Sequence, residues 1–181
     1  MEKMSETKVD ILELLWVNDG PLNSKQIVDK LGLKPRAANM HLMGLVKNGF
    51  IAKNVDNEYT ITPSGRVALG FPATDEKLAR KILSKTLKEK AFYFYKGIGQ
   101  PTGITADSLN DFCEKLKTLD TKIIEFHTER GDFEAWVSSL GDLELAKRLK
   151  VIRGTNLSGE LLRKKTYESV KSRCEELSKA K

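Results

Sequence analysis

The sequence contains few cysteines and no long apolar segment. Its 181 residues include two cysteines, Cys113 and Cys174, which are too few and too isolated for a disulfide framework or a zinc site. Both occupy apolar positions of helical patterns, which predicts buried thiols. No run of 18 or more apolar residues occurs, and residues 1–5 lack the apolar core of a secretion signal. We therefore expect a cytoplasmic protein without a membrane span.

The chain is basic, but the charge is unevenly distributed. It has 31 Lys and Arg against 25 Asp and Glu, a net charge of +6. Residues 1–73 hold 9 basic and 8 acidic residues, a net charge of +1, whereas residues 74–181 hold 22 and 17, a net charge of +5. This balance is compatible with a polyanionic partner such as nucleic acid.

Residues 24–53 organise the first half of the chain. A short helix ends at Gly32, and Pro35 then suits the first position of a second helix, where its missing N–H has no helical partner. Asn48-Gly49 stops the second helix, and a hairpin follows with a predicted turn at Asp56-Asn57. The positions expected to share the buried face of the second helix are Ala38, Leu42, Leu45 and Val46. Together with a helix over residues 5–17, this order predicts a winged helix-turn-helix domain, with Ser5 and Ser24 as helix N-caps.

The outward face of the second helix carries residue types that read DNA. Arginine suits guanine, asparagine suits adenine, and lysine suits phosphates. The predicted DNA-binding residues are Lys34, Arg36, Asn39, Met40, Met43, Lys47 and Lys53. A dimer that presents two such helices would double the contacts with double-stranded DNA.

Two features of the same region favour a different partner. Met40 and Met43 are apolar where polar readers are usual, and flexible methionines suit adaptable protein interfaces. Asp56 and Glu58 make the hairpin tip acidic, where a wing that grips DNA would carry lysine or arginine. The alternative is therefore an adaptor that binds a protein or a ribonucleoprotein through this surface.

Residues 5–66 resemble the winged helix of transcription regulators of the MarR and ArsR type. The resemblance depends on Ile27-Val28-x-x-Leu31-Gly32-Leu33 and on Ala38-x-x-x-Leu42-x-x-Leu45-Val46-x-x-Gly49-Phe50-Ile51. It implies the winged helix-turn-helix fold and a role in transcription regulation. The metal-sensing cysteine motif of the ArsR type does not occur in this sequence.

A domain boundary is predicted at residues 70–73, where Gly70 and Pro72 interrupt the periodicity. We expect domains over residues 1–73 and 74–181, the second an all-α bundle of about five helices, so that the fold class is α+β and mostly helical. Thr74 is the expected cap of the first of these helices, which buries Leu87 and continues through residues 91–95, although a strand is also possible there. A loop then covers residues 97–103, and a helix is predicted over residues 105–118. Asp132 and Asp142 are the expected caps of two later helices, and the last helix starts near Ser158 and is expected to bury Leu161.

The second half resembles a prokaryotic, largely archaeal, domain of unknown function. The residues that carry the resemblance are Phe92-Tyr93-Phe94-Tyr95-x-Gly97-Ile98-Gly99, Ala106-x-Ser108-Leu109, Glu125-Phe126-His127 and Arg130-Gly131-Asp132-Phe133-x-x-Trp136. The resemblance covers most of residues 90–177 and implies no established chemistry.

Residues 125–132 form the densest polar cluster. No second histidine accompanies His127 in this half, so local hydrogen bonding is favoured over a metal site or an acid–base pair. Gly97-x-Gly99-x-x-x-Gly103 lacks the lysine and the preceding strand of a phosphate-binding loop. One functional hypothesis is a pocket for a small anionic effector, lined by this loop and by Tyr93, Tyr95, His127 and Arg130.

These patterns lead to one main expectation. We expect a DNA-binding transcription regulator whose second domain mediates dimerisation, effector sensing or contact with a partner. Basic residues of the last two helices, Lys147 to Arg153 and Arg163 to Arg173, either face solvent or add phosphate contacts. No nucleophile–base pair, carboxylate pair or metal-ligand spacing is recognisable, so neither an enzyme nor a cofactor is expected.

Overall fold

The protein is of mixed α and β structure and divides into two compact units. The structure, a computed structural model, describes residues 4–18 and 20–180. The N-terminal unit is Met1–Ala73 and the C-terminal unit is Thr74–Lys181. Each unit has a hydrophobic core of its own.

The N-terminal unit combines helices with a small antiparallel sheet. Its elements are α1 (Glu6–Val17), β1 (Leu22–Asn23), α2 (Ser24–Leu31), α3 (Pro35–Lys47), β2 (Ile51–Lys53), β3 (Glu58–Ile61) and α4 (Pro63–Ala68). The strand order is β1-β3-β2, and Tyr59 of β3 lies opposite both Leu22 and Lys53. Strand β1 was missed in the sequence because two residues show no periodicity.

The start of α2 differs from the prediction by one residue. Asn23, not Ser24, is the N-cap: its Oδ1 accepts from the Gln26 N–H at 2.9 Å, and Gln26 Oε1 accepts from the Asn23 N–H at 2.8 Å. This reciprocal pair is a capping box, which satisfies two backbone donors. Gly32 ends α2 in the left-handed conformation at φ 63°, as expected, and Pro35 opens α3. Ser5 occupies the N-cap position of α1, although its side chain accepts no capping hydrogen bond.

The core of the N-terminal unit joins α1, α2 and α3 to the sheet. The buried side chains are Ile11, Leu12, Leu15, Leu22, Ile27, Leu42, Leu45, Ile51 and Tyr59. Val46 was predicted to face this core but is exposed, because it lies at the margin of the α3 apolar face. Trp16 packs against Phe71 with ring centroids 5.0 Å apart.

The C-terminal unit contains helices and a two-stranded hairpin. Its elements are α5 (Glu76–Leu83), a 3₁₀ turn (Lys88–Lys90), β4 (Phe92–Gly97), β5 (Gln100–Ala106), α6 (Leu109–Leu116), α7 (Thr121–Arg130), α8 (Asp132–Leu140), α9 (Leu143–Arg153) and α10 (Gly159–Ser178).

The prediction of an all-α second domain is wrong, because residues 92–106 form an antiparallel hairpin. In β4, Phe92 and Phe94 are buried while Tyr93 between them is exposed, which is the alternation of a half-buried strand. The predicted loop over residues 97–103 is mostly strand β5. The helix predicted from residue 105 begins at Leu109, where the Ser108 Oγ accepts from the Asp111 N–H.

Several details of the helix ends also differ from the predictions. Asp75, rather than Thr74, caps α5 by accepting from the Leu78 N–H at 2.7 Å. Asp132 is the first residue of α8, and Gly131 holds the N-cap position. Leu87 and Leu161 are exposed rather than buried. The Asp142 cap of α9 is confirmed by its bond to the Leu145 N–H at 3.0 Å, and Ser158 precedes α10 as predicted.

Aromatic rings form the centre of the C-terminal core. Phe92 and Phe112 contact each other, and each also contacts Phe133 and Trp136, with ring centroids 5.1–5.7 Å apart. Such tilted and edge-on pairs add a stabilisation of about 0.5–1.5 kcal/mol beyond area burial. Cys113 and Cys174 are free and buried, as the sequence predicted.

Candidate functional sites

The outward face of α3 has an apolar centre with a cation at each end. Arg36, Met40, Met43 and Lys47 are spaced by four, three and four residues, which places them in one row along the helix. All four are exposed, and the side chains of Met40 and Met43 are 63% and 73% accessible. We call this row the α3 stripe. It is open to contact with a partner along its whole length.

The other predicted DNA-binding residues flank the α3 stripe or lie on the sheet. Asn39 is exposed, and its Oδ1 accepts from the Ser24 Oγ at 2.8 Å, which orients the amide. Lys34 holds the N-cap position of α3. Lys53 on β2 places its Nζ 5.7 Å from the centre of the Tyr59 ring. All three side chains are exposed donors.

The turn between β2 and β3 is longer than predicted and is shaped by an asparagine. It spans residues 54–57 instead of Asp56-Asn57 alone. Asn54 Oδ1 accepts from the backbone N–H groups of Asp56 at 3.0 Å and Glu58 at 2.8 Å. Asn57 has a φ of 59°, which asparagine tolerates better than most residues. The exposed tip carries Val55 and Asp56 and no cation.

A pocket of about 360 Å³ lies beside strand β4 in the C-terminal unit. Strand β4, the turn into β5, the end of α7 and the start of α8 line this open pocket. We call it the β4–α7 pocket. Its lining residues are Phe92, Tyr93, Tyr95, Gly97, Ile98, Gly99, Phe126, His127, Arg130 and Asp132. Tyr93, Tyr95, His127 and Arg130, which the sequence suggested for one pocket, therefore lie around the same cavity.

His127 is held in a single neutral tautomer. Its Nε2 accepts from the Tyr95 backbone N–H at 2.9 Å, so the ring proton must lie on Nδ1. Nδ1 then donates to Asp132 Oδ2 at 2.8 Å. The residue is 2% exposed, and this burial lowers the pKa of His127 below its usual value, although the hydrogen bond to Asp132 acts in the opposite direction. His127 therefore fastens α7 to strand β4 and to the start of α8.

Arg130 is oriented by two neighbours and keeps hydrogen-bonding capacity. Its Nε donates to Asp132 Oδ2 at 3.0 Å, and its Cζ lies 5.3 Å from the centre of the Phe126 ring. The side chain is 50% exposed. Within the described residues, its two terminal nitrogens donate to no partner. The guanidinium thus has a defined orientation and a free pair of donors.

The sequence did not identify every residue of this pocket. Phe126 and Arg130 are four residues apart on one face of α7, a helix that the sequence did not predict, so this pairing was missed. Ile98 lies at the tip of a hairpin that was expected to be a loop. Glu125, part of the polar cluster, instead accepts from the Gly159 N–H at 2.6 Å at the start of α10.

The basic residues of α9 and α10 are largely paired within the unit. Arg173 donates from Nε and Nη2 to Asp142 at 2.8 and 3.1 Å, and from Nη1 to Glu144 at 3.0 Å. Its side chain is 4% exposed and that of Asp142 is 0% exposed. Arg148 contacts Glu144 at 2.6 Å and Glu176 at 3.2 Å. We call these five residues the Arg173 cluster. Arg173 and Arg148 are therefore not available to phosphates.

Burial is the largest single influence on the pKa of Arg173, and it acts to lower that pKa. The hydrogen bond and charge of Asp142, with smaller contributions from Glu144 and Glu176, outweigh it and raise the pKa above its usual range. Arg173 therefore stays charged in the interior. The Arg173 cluster was missed because its members come from two helices, α9 with its N-cap Asp142 and α10, and Arg173 follows Asp142 by 31 residues in the chain.

Two further properties of the described residues bear on other functions. Within residues 4–18 and 20–180, no group of three or more His, Cys, Asp or Glu side chains is placed to hold a metal ion. No helix in that part of the chain has both the length and the apolar character required to cross a bilayer.

Comparison with known proteins gives a family but no described relative. Residues 73–171, more than half of the chain, match the model of a family of unknown function, DUF5752. No curated protein and no solved structure matches the chain.

Proposed function

We propose that this chain, which belongs to DUF5752, a family of unknown function, binds double-stranded DNA through its N-terminal unit as a transcription regulator. The element order of that unit supports a winged helix-turn-helix: three helices, with a short strand after the first, precede a two-stranded hairpin. Helices α2 and α3 are joined by a tight turn at Gly32, which is typical of this motif. In this proposal α3 is the recognition helix, and residues 54–57 form the tip of the wing.

The α3 stripe is the observation that carries the proposal. Arg36 lies in the first turn of α3, which in helix-turn-helix proteins contacts base edges, and Arg36 can donate twice to a guanine. Lys47 at the other end suits a phosphate. Met40 and Met43 between them can contact thymine methyl groups.

The number of exposed cations sets the expected affinity. Lys34, Arg36, Lys47 and Lys53 are four candidates for phosphate or base contacts, and the unit as a whole is nearly neutral. On random-sequence DNA, where all four cations act on phosphates, four contacts correspond to a slope of about −3.6 for log K against log salt, or about 150-fold weaker binding at 200 mM than at 50 mM salt. A monomer therefore binds weakly, and a homodimer formed through the C-terminal unit would double the contacts.

Fluorescence anisotropy with a labelled random-sequence duplex tests the proposal on the full chain. Arg36→Ala combined with Lys47→Ala is expected to weaken binding and to reduce the salt slope by about 1.8. The matched control is Lys77→Ala with Lys122→Ala, which removes the same charge from exposed positions of α5 and α7. Light scattering after size exclusion gives the oligomeric state. Absence of binding at 50 mM salt, or an equal loss in both double variants, would refute the proposal.

The exposed methionines and the acidic hairpin tip favour a second candidate, an adaptor that binds a protein or a ribonucleoprotein. An apolar contact through Met40 and Met43 would resist salt, because it releases few counterions. Capture from a lysate of the source organism at 0.5 M salt, with and without ribonuclease, is expected to fail in Met43→Glu. It should survive in Leu161→Glu, which places the same charge at an exposed apolar position of α10. Equal capture by both variants would exclude this candidate.

A further inference from the structure

We infer that the β4–α7 pocket binds a small molecule in which one carboxylate or phosphate group is attached to a flat apolar body. This inference concerns the C-terminal unit alone and does not depend on DNA binding. It rests on the free donors of Arg130, on the apolar side chains around the cavity and on the rigid support behind them.

The donors of Arg130 specify the anionic group. Asp132 binds the guanidinium only through Nε, so Nη1 and Nη2 remain for a second acceptor. Two adjacent N–H groups in one plane match the two oxygens of a carboxylate or phosphate. The Phe126 ring beneath the guanidinium holds that plane, so little side-chain freedom remains to be lost on binding.

The remaining lining specifies the body of the ligand. The rings of Tyr93, Tyr95 and Phe126 and the side chain of Ile98 provide apolar contact area around the cavity. Ile98 is largely exposed at the hairpin tip, and a ligand between it and the rings would remove apolar surface from water. A volume near 360 Å³ lies at the lower end of the range for small-molecule sites, which favours a single ring system over a dinucleotide or a polymer.

The groups behind the pocket are already bound to one another. His127 has both ring nitrogens engaged, by Tyr95 and by Asp132. Oδ2 of Asp132 accepts from both His127 and Arg130, so these donors partly offset its negative charge. Arg130 offers two free terminal nitrogens here, whereas Asp132 already has one oxygen engaged by two donors, which favours an anion over an amine.

A matched ligand series tests the inference by NMR titration of the full chain. The probes are phenylacetate and phenyl phosphate, which share a ring and differ in the anion, with phenylacetamide and phenethylamine as the neutral and cationic counterparts. Inorganic phosphate tests the anion without a ring. We expect saturable binding of one or both aryl anions with a Kd below about 10 mM, and at least tenfold weaker binding of the amide, the amine and inorganic phosphate. Which aryl anion binds more tightly identifies a carboxylate or a phosphate ligand.

Two substitutions on the same helix locate the site. Arg130→Gln removes the donor pair and is expected to weaken binding at least tenfold. Lys122→Gln, at an exposed position of α7, should leave binding unchanged. Circular dichroism and thermal unfolding verify that both variants are folded. The inference is overturned if neither aryl anion saturates below that limit, if the amide or the amine binds as well as the anions, or if Arg130→Gln binds them like the unsubstituted chain.

Discussion

Replacing Arg173 with methionine is expected to destabilise the C-terminal unit strongly. Methionine fills a similar length with apolar atoms, but it leaves Asp142 without its cation. That carboxylate is fully buried, and the bond it keeps within the described residues is its cap to the Leu145 N–H. An uncompensated buried charge is among the few causes of a large loss of stability from one substitution.

The size of the effect follows from the remaining partners. Breaking a buried ion pair by removing one member costs about 3–5 kcal/mol. Arg148 still contacts Glu144 and Glu176, and Glu176 is partly exposed, so these two carboxylates keep a partner. Asp142 is then the main unpaired group, which places the expected loss near the lower end, at about 3 kcal/mol.

Urea unfolding followed by the fluorescence of Trp136 measures this loss in the unit concerned. Trp16 belongs to the other unit, so both the reference and the variants carry Trp16→Phe. The control is Arg80→Met, whose pair with Glu76 is exposed and contributes at most about 1 kcal/mol. Adding Asp142→Asn to Arg173→Met removes the unpaired charge and keeps a capping oxygen, so part of the stability should return.

The reasoning fails if Arg173→Met costs no more than the Arg80→Met control in a chain with native circular dichroism. It also fails if Asp142→Asn makes the Arg173→Met variant less stable still, because the unpaired carboxylate would then not be the cause of the loss.

Two further predictions concern stability. The folded protein resists protonation of His127, whereas the unfolded chain takes up the proton near pH 6.5. As the pH drops below this value, the unfolding free energy of the C-terminal unit should therefore decrease, by up to about 1.4 kcal/mol per pH unit. Urea unfolding at pH 7.0 and 5.5 should show a smaller decrease in His127→Gln than in the unsubstituted chain. An equal decrease in both would contradict the lowered pKa of His127. In the N-terminal unit, Gly65→Ala would place a Cβ 2.1 Å from the Phe50 carbonyl oxygen and should lower the unfolding free energy by about 1–3 kcal/mol or more. A Cβ at Gly44 on α3 would meet the Lys8 side chain at 3.6 Å, so Gly44→Ala should raise the unfolding free energy by about 0.5–1 kcal/mol. Equal midpoints of the two variants in urea unfolding would refute this contrast.

The elements of the N-terminal unit could be predicted because its signals are local. The buried spacing of Ala38, Leu42 and Leu45, the stop at Gly32 and the start at Pro35 all lie within a few residues of the feature they determine. Where two polar residues compete for one cap, the sequence is less decisive. Asn23 caps α2 because the Gln26 side chain accepts a hydrogen bond from the Asn23 N–H in return, which completes a capping box. The Ser24 hydroxyl is then free to donate to Asn39.

The hairpin of the C-terminal unit could not be assigned with the same certainty. Residues 91–95 are an unbroken apolar and aromatic run, which fits a buried helix as well as a strand. The partner strand contains Pro101 and Gly103, both unusual within strands, so it was interpreted as a loop. Long-range packing of Phe92 and Phe94 against α6 and α8 resolves the ambiguity, and such packing is not visible in local sequence.

The contrast between local signals and long-range contacts also applies to the β4–α7 pocket and to the chemistry of His127. Four residues of the pocket could be predicted from the sequence because they are polar or aromatic and lie near glycine-rich turns. The role of His127 could not be predicted in this way. The Tyr95 N–H that engages its Nε2 is 32 residues away, on a segment for which the sequence favoured a helix and left a strand open. For His127 to accept a substrate proton at Nε2, this bond between β4 and α7 would have to break inside the core. We therefore assign His127 a positioning role: it holds Tyr95 and Asp132, and Asp132 in turn orients Arg130. Recognition in this pocket then depends on the Arg130 guanidinium and the aromatic rings rather than on the imidazole of His127.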